Sequence, residues 1–171
     1  MQLELISETD KRLRQTCVKH EIDAATEGLV YDMIAKMQEH DGIGLAAPQL
    51  GVMEQLFVIG HKDVGFVVCI NPTWSPTTEA KLEPFQEGCL SFPHLALTIE
   101  RYNQVHCTFT NLKGETKTQL FNGVWAQAIQ HEHDHLMGIT FDKRAKTSQL
   151  SRAQAVRREK IKRIKKKNKD K

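Results

Sequence analysis

The stretch QHEHDHLMG places two histidines and a glutamate, His131, Glu132 and His135, inside an apolar helical pattern. From Val124 onward, apolar residues return at three- and four-residue steps, which predicts a helix ending at Gly138. Residues four apart share one face of a helix, so both imidazoles can reach a single metal ion. Burying three titratable groups without such a partner is costly, so the chain is predicted to fold around a metal-binding helix.

The other polar residues of this stretch have different predicted roles. Glu132 lies roughly 100° around the helix from its neighbour, where its carboxylate can contact a water on the metal without being a ligand. His133 points away from the metal face and is predicted to be an ordinary helix residue. We expect Asp134 to orient a neighbouring group rather than to bind the ion.

The third protein ligand is not obvious from the local sequence. A catalytic metal site usually has three protein ligands and one open position. One class of zinc peptidase places a third histidine downstream of the motif, where this chain has Phe141, and the downstream glutamate of another class has only Glu159 as a counterpart, within Arg-Arg-Glu-Lys. Cys89 is the upstream candidate, because a thiolate with two imidazoles suits iron(II), zinc, nickel or cobalt.

Periodicity elsewhere predicts one α+β domain. An apolar stripe runs from Asp23 to His40 and predicts a helix, and a last helix is predicted to begin near Ser148. The segment WSPTTEAKLEPFQ contains two prolines and is predicted to be a loop. The expected fold is a set of mixed or antiparallel strands around the buried motif helix, with a C-terminal basic helix. Predicted strands are EQLFVIG, GFVVCINP, LALTIE, QVHCTFT and TKTQLF.

Charge divides the chain into two parts. Residues 141–171 contain 14 Lys or Arg and 3 Asp or Glu, whereas residues 1–140 contain 10 and 18. We therefore predict a catalytic domain over residues 1–147 and a basic helical tail over residues 148–171. The tail is either a solvated helix end or, through residues 150–171, a site for a polyanion such as ribosomal RNA.

Length and composition restrict the class of protein further. The 171 residues, 40% of them hydrophobic, suit one domain with a sizeable core. No apolar run approaches the roughly 18 residues of a membrane span, and the N-terminal residues lack a presequence pattern. Four cysteines without a C-x-x-C pair predict thiols in a reducing compartment, with Cys69 and Cys107 in the core. We expect a cytoplasmic monomer with no membrane contact.

Three stretches together resemble a known family. Residues 42–49 (GIGLAAPQ), 87–91 (EGCLS) and 131–135 (HEHDH) match, in order and spacing, the signature stretches of the peptide deformylases. Residues 10–14 (DKRLR) and the pair Asn71-Pro72 are also similar, so the likeness covers roughly residues 1–145. The resemblance implies an α+β hydrolase that removes the N-formyl group from the initiator methionine of nascent polypeptides and releases formate.

The resemblance also implies roles for individual residues. Cys89, His131 and His135 would bind one divalent ion, with iron(II) expected physiologically and zinc, nickel or cobalt as possible replacements. Glu132 would be the general base and acid. A metal-bound hydroxide would attack the formyl carbon, and Glu132 would later protonate the departing amine. The oxyanion donors would be the Gln49 amide and the Leu90 backbone N–H.

Substrate binding is expected to involve a glycine-rich strand edge and an apolar methionine pocket. Three positions depart from the usual family pattern: Ala96 replaces a residue that is basic in many bacterial members, Phe85 is bulkier than the usual aliphatic residue, and Gln127 is polar where the family is apolar. The predicted substrate-binding residues are Ile43, Gly44, Phe85, Gly88 and Val124.

Two other functions remain open at this point. A metallopeptidase could cut internal peptide bonds, although the third ligands that such enzymes use are missing downstream of the motif. A binding module could combine a structural metal site with a basic tail that docks on RNA, although structural zinc sites close the fourth position with protein.

Overall fold

The computed structural model describes residues 3–169 of the chain. This part contains three α-helices and seven β-strands, together with short 3₁₀ turns at Lys11–Arg14, Ala47–Leu50 and Phe141–Lys143. The helices are α1 (Thr26–Glu39), α2 (Val124–Leu136) and α3 (Thr147–Lys169). The strands are β1 (Gly44–Ala46), β2 (Leu56–His61), β3 (Gly65–Pro76), β4 (Leu82–Glu87), β5 (Leu97–Tyr102), β6 (Gln104–Thr110) and β7 (Thr116–Asn122).

Two antiparallel sheets form the β part of the domain. Five strands pair in the order β1-β2-β3-β6-β7, and β4 pairs with β5 in a separate two-stranded sheet. The predicted α+β class is confirmed, and every pairing between named strands is antiparallel. Because β1 is an edge strand of the larger sheet, one side of its backbone has no strand partner within the described chain.

Side chains on the two faces of the large sheet build separate cores. In β2, Phe57 and Ile59 belong to the cluster that includes the buried residues of α2. The alternate residues Leu56 and Val58 join a second cluster with α1, to which Met33 contributes a fully buried side chain. This alternation follows from the two-residue period of a strand. It holds α2 firmly against the sheet, with its motif residues inside the protein.

A third cluster fixes the start of α3. Leu150 and Ala153 of α3 pack against a core that includes Phe92 and Phe141. One turn later, the Arg157 guanidinium contacts the body of the protein, whereas residues 162–168 are exposed. The predicted helix from near Ser148 is therefore present, and its first half lies on the domain.

The predicted loop WSPTTEAKLEPFQ is wrong for most of its length. Its first residues finish β3, which runs to Pro76, and its last residues form β4, so only residues 77–81 connect two strands. Pro76 is tolerated because it ends its strand. Pro84 lies opposite Glu100 in a two-stranded sheet, where each strand is an edge and a missing N–H does not interrupt a larger ladder.

Within residues 3–169, no helix combines the length and the apolar character needed to span a membrane.

Candidate active site

Helix α2 carries the motif histidines into the interior, where a cysteine sulfur meets them. His131 and His135 are 8% and 1% exposed. Cys89 lies on the turn after β4, and its Sγ is 3.3 Å from His135 Nε2. One ligand atom from each of Cys89, His131 and His135 lies within 4.8 Å of the other two. The structure thus brings together the three predicted ligands from segments more than 40 residues apart.

These donors fit a transition-metal ion. His135 Nδ1 is buried with no hydrogen-bond partner, and burial holds the pKa of His135 well below its ordinary value, which keeps its imidazole neutral. His131 uses Nδ1 to contact Glu87 Oε2 at 2.9 Å, so its Nε2 is available to the cluster. One soft sulfur and two imidazole nitrogens suit iron(II) or zinc. Three protein donors leave a position for water.

A buried ionic network supports the histidines. Arg101 donates to both oxygens of Glu87, at 2.8 and 3.1 Å, and to Asp134 at 2.6 Å. Arg144 donates to the other side of Asp134. Although burial alone would raise it, hydrogen bonds from His131 and Arg101 hold the pKa of Glu87 below its ordinary value. Asp134 accepts hydrogen bonds from Arg101 and Arg144 and so helps to orient both side chains, which agrees with the orienting role expected of it.

Glu132 lies against the edge strand beside this cluster. A Cβ added at Gly44 would lie 2.9 Å from Glu132 Cδ and closer still to its Oε1, so this approach requires glycine. Glu132 Oε2 is buried without a hydrogen-bond partner. Burial, reinforced by the negative charge of Glu87, raises the pKa of Glu132 to about 7.

The amide nitrogen of Gln49 points toward the sulfur of Cys89. Its Oε1 accepts a hydrogen bond from the Ala46 N–H at 2.9 Å, which fixes the orientation of the amide. Its Nε2 is then 3.5 Å from Cys89 Sγ and 3.3 Å from Ser91 Oγ. Leu90 follows Cys89 in the same turn, which is closed by a 2.9 Å hydrogen bond from the Phe92 N–H to the Cys89 carbonyl.

A cleft of about 360 Å³ opens beside these groups. At its mouth, Ile43 and Val124 are 37% and 46% exposed. Gln127, the polar departure from the family pattern, also lines it, whereas Ala96 does not. Predicted site residues that line the cleft are Ile43, Gly44, Gln49, Gly88, Cys89, Leu90, Val124, His131 and Glu132.

Phe85 differs from its expected position. It is half-buried on β4 and is not among the residues lining the cleft. Phe85 lies opposite Ile99, whereas Glu87 lies opposite Leu97 at the end of the hairpin that leads to Cys89. Phe85 directly precedes Gln86, where the part of β4 that borders the cleft begins.

Arg101 and the supporting role of Glu87 were missed from the sequence. A signal was present in β5, where Leu97, Ile99 and Arg101 alternate with exposed residues and are all buried. A charged residue on the buried face of a strand requires a partner of opposite charge. That reasoning identifies a buried acid near Arg101, although not which acid.

A cysteine sulfur beside two buried imidazoles, with a carboxylate in the same open cleft, is typical of metal-dependent hydrolases. Comparison with known proteins narrows this class. The family model described as "Polypeptide deformylase" matches residues 3–151. The chain belongs to this family, which consists of hydrolases that remove the N-formyl group from new polypeptides.

Curated relatives support the assignment. A peptide deformylase of Thermotoga neapolitana is 40% identical over 129 residues, which cover 72% of this chain and 74% of that protein. A Synechocystis peptide deformylase is 35% identical over 162 residues, covering 92% and 86%. A Synechococcus relative is 39% identical over 127 residues, covering 70% of this chain and 61% of that longer protein.

Solved structures share the fold. A Synechococcus elongatus peptide deformylase, crystallised with actinonin, is similar with a TM-score of 0.85 and 36% identity, covering 91% of this chain and 85% of that one. A peptide deformylase from Legionella pneumophila gives a TM-score of 0.86 and 29% identity, covering 96% and 98%.

Proposed function

We propose that this chain removes the formyl group from the initiator methionine of nascent polypeptides and releases formate at the cleft beside α2. One observation carries the proposal. The three donors Cys89, His131 and His135 meet within 4.8 Å of one another, and Glu132 lies against Gly44 in the same cleft.

Cys89, His131 and His135 would hold one divalent ion, and we propose iron(II) as the physiological one, with zinc, nickel or cobalt as alternatives. When bound, such an ion supplies a water acidic enough to give a nucleophile near neutral pH. The buried network of Glu87 and Arg101 would keep the His131 ring in the orientation that binding requires.

Glu132 would move the proton. Its carboxylate has an oxygen without a hydrogen-bond partner beside the cluster, where a nucleophilic water would lie. Glu132 would accept the proton of that water as the water attacks the formyl carbon, and would deliver it to the amine as the carbon–nitrogen bond breaks. Glu132 can serve both steps because delivering the proton to the amine returns its carboxylate to the ionised form in which it began.

Two neutral donors would stabilise the oxyanion that forms on the formyl group. The Gln49 amide is held in place through its bond to Ala46, and the backbone N–H of Leu90 follows the metal ligand directly. Groups that are already oriented need no rearrangement in the transition state, and losing one costs about 10²–10³ in rate.

The edge strand β1 would bind the substrate backbone. Gly44 has no side chain, so an extended peptide could approach and pair through main-chain hydrogen bonds. Ile43 and Val124 would contact the methionine side chain at the mouth of the cleft, and Gly88 would border the backbone. We retain Phe85 as a prediction only, because it does not line the cleft.

The finer cellular assignments are also proposals. None of the four cysteines forms a disulfide, which supports a reducing, cytoplasmic location. The basic residues of α3 between positions 158 and 167 are exposed and would attract ribosomal RNA, where the nascent substrates emerge. We propose that the protein acts there as a monomer.

Replacing Glu132 tests the proposed reaction. A Glu132→Ala variant should lose formate release from formyl-methionyl peptides by at least about 10²-fold, while its metal content, measured by elemental analysis, stays at the wild-type level. Glu159→Ala, at an exposed position of α3, is the control and should retain full activity. Brisk turnover by the Glu132 variant would contradict the assignment, and cleavage of unformylated peptides by the wild type would support a peptidase instead.

A further inference from the structure

A second cavity, of about 290 Å³, lies next to the cleft, and we call it the apolar groove. It lies between the β2–β3 hairpin and the end of β7, beside the first turn of α2. None of its lining residues is charged, and Gln119 and Asn122 contribute amide groups. Its large apolar lining residues are Ile59, Val64, Val67, Leu120, Phe121 and Trp125.

The rim of the groove consists partly of apolar side chains that are exposed to solvent. Val64 is 69% exposed and Leu120 is 43% exposed, whereas Ile59 and Phe121 in the floor belong to the core. Together with Ile43 and Val124 of the cleft, four of the ten exposed large hydrophobic residues of the described chain lie on these two cavities. Adjacent exposed apolar side chains of this kind mark a binding surface rather than scattered surface residues.

The groove lies beside the cleft, and the two cavities share no lining residue. Val124 lines the cleft and the next residue, Trp125, lines the groove. Ile43 also lines the cleft, and its carbonyl accepts a 2.9 Å hydrogen bond from Gly60, which lines the groove. A peptide on the free edge of β1 would lie two strand spacings, roughly 10 Å, from Gly60, and an extended peptide advances about 3.4 Å per residue. A chain held in the cleft can therefore reach the groove within a few residues.

We propose that the apolar groove binds the part of the substrate polypeptide that follows the formylated methionine, taking apolar side chains from about its fourth to its eighth residue. This inference rests on the proposed function. A nascent chain is unfolded, so its apolar side chains are free to enter. The uncharged lining accepts them without desolvating a charge, and the two amides offer hydrogen bonds to the peptide backbone.

Three substrates measure this contribution: formyl-Met-Ala-Ser, a formylated decapeptide whose fifth and seventh residues are leucine, and the same decapeptide with serine at both positions. For the wild type, kcat/KM for formate release should be about tenfold higher with the leucine decapeptide than with the serine one, as expected from partial burial of one aliphatic side chain. Val64→Asp and Leu120→Asp should each reduce this preference to less than about twofold.

Val156→Asp is the matched control, because Val156 is also 69% exposed but lies on α3 and lines neither cavity. It should keep the tenfold preference. The tripeptide does not extend to the groove, so its turnover by the Val64 and Leu120 variants reports whether they fold. Equal kcat/KM for the two decapeptides with wild-type protein, or an unchanged preference in both groove variants, would overturn the proposal.

Other outcomes are equally decisive. Turnover of the tripeptide without any leucine preference would overturn this inference and leave the proposed function intact, whereas no turnover of any formyl peptide would overturn both. A second copy of the chain could instead cover the groove. In that case the wild type would sediment as a dimer and Val64→Asp as a monomer, which would also overturn the proposal.

Discussion

Glu87 affects the candidate metal centre from outside the ligand set. Glu87 is 2% exposed, and its carboxylate lies between Nδ1 of His131 and the guanidinium of Arg101. Because the carboxylate accepts a hydrogen bond from Nδ1–H, the other ring nitrogen would present its lone pair to an ion in the proposed site. Glu87, which precedes Gly88 and Cys89, thus positions the ring of a proposed ligand.

Replacing Glu87 should weaken metal binding. Glu87→Gln keeps the size of the side chain but removes the charge that pairs with Arg101, so the His131 ring is held less firmly. Metal affinity, measured by competition with a chelator, should fall about 10–100-fold. Glu83→Gln is the control, since Glu83 is an exposed residue of the same strand. Equal affinities of wild type and Glu87→Gln would show that Glu87 does not position the ligand.

Gly44 has a steric role that alanine should reveal. The added Cβ would overlap the Glu132 carboxylate, so either the edge strand or Glu132 must move. Gly44→Ala should lower kcat/KM for formyl-methionyl tripeptides by about 10²-fold, because small displacements of catalytic groups are costly. Gly28→Ala has no atom within 4 Å of its added Cβ and should be fully active. An active Gly44→Ala enzyme would mean that Glu132 can relocate without loss.

At the scale of elements, periodicity identified the helices and most strands because each buries one face. The stripe of α1, the motif helix and the strands of the large sheet follow their expected periods. Strand β4 was missed because most of its residues are exposed and it contains Pro84, so neither hydropathy nor composition marks it. Its pairing with β5 depends on contacts distant in sequence, which local patterns do not contain.

For helix α3 too, the contacts that position it could not be predicted from local sequence. Its existence follows from composition, but its docking depends on Arg157, which donates to both carboxylate oxygens of Glu8 at 3.1 and 2.6 Å and to the Pro93 carbonyl at 2.9 Å. These partners lie far away in the sequence. The domain boundary at residue 147 stays a prediction, although the first half of α3 packs with the domain core.

Removing Arg157 should loosen this docking. Arg157 and Glu8 are 15% and 30% exposed, so their bidentate pair is partly shielded from water. Arg157→Ala should lower the free energy of unfolding by about 1–2 kcal/mol, measured by urea denaturation. Lys162→Ala removes a pair with Glu159 that is 72% and 61% exposed and should leave the free energy of unfolding at the wild-type value. Similar effects for both variants would argue against docking through Arg157.

The residues of the candidate site come from separate segments, and only the complete fold brings them together. Residue types and helical spacing indicated the two imidazoles, but no local pattern placed Cys89 or Gln49 beside them. The match of three ordered stretches to a family supplied that placement, and the fold explains it, since the Cys89 turn and β1 both pack beside α2. The apolar groove had no signal in sequence, because its residues come from separate elements.

The distribution of charge gives the molecule an acidic body and one strongly basic end. Residues 1–140 contain more acidic than basic residues, and the exposed half of α3 contains a run of Lys and Arg. Phosphate groups attract such a helix through release of counterions, without reading base sequence. We predict that the acidic body, which phosphate repels, lies on the side away from a bound polyanion.

Neutralising that end tests ribosome binding without disturbing the docked half of α3. Changing the five exposed residues Lys162, Arg163, Lys165, Lys166 and Lys167 to glutamine should reduce co-sedimentation with ribosomes and lower the slope of log affinity against log salt by up to about four. The control neutralises the same number of exposed body lysines: Lys19, Lys62, Lys81, Lys113 and Lys117. Because repulsion between the acidic body and RNA grows in that control, its binding should weaken only slightly and its salt slope should stay near the wild-type value. Equal losses in the two variants would show that net charge, and not the basic end of α3, determines the association.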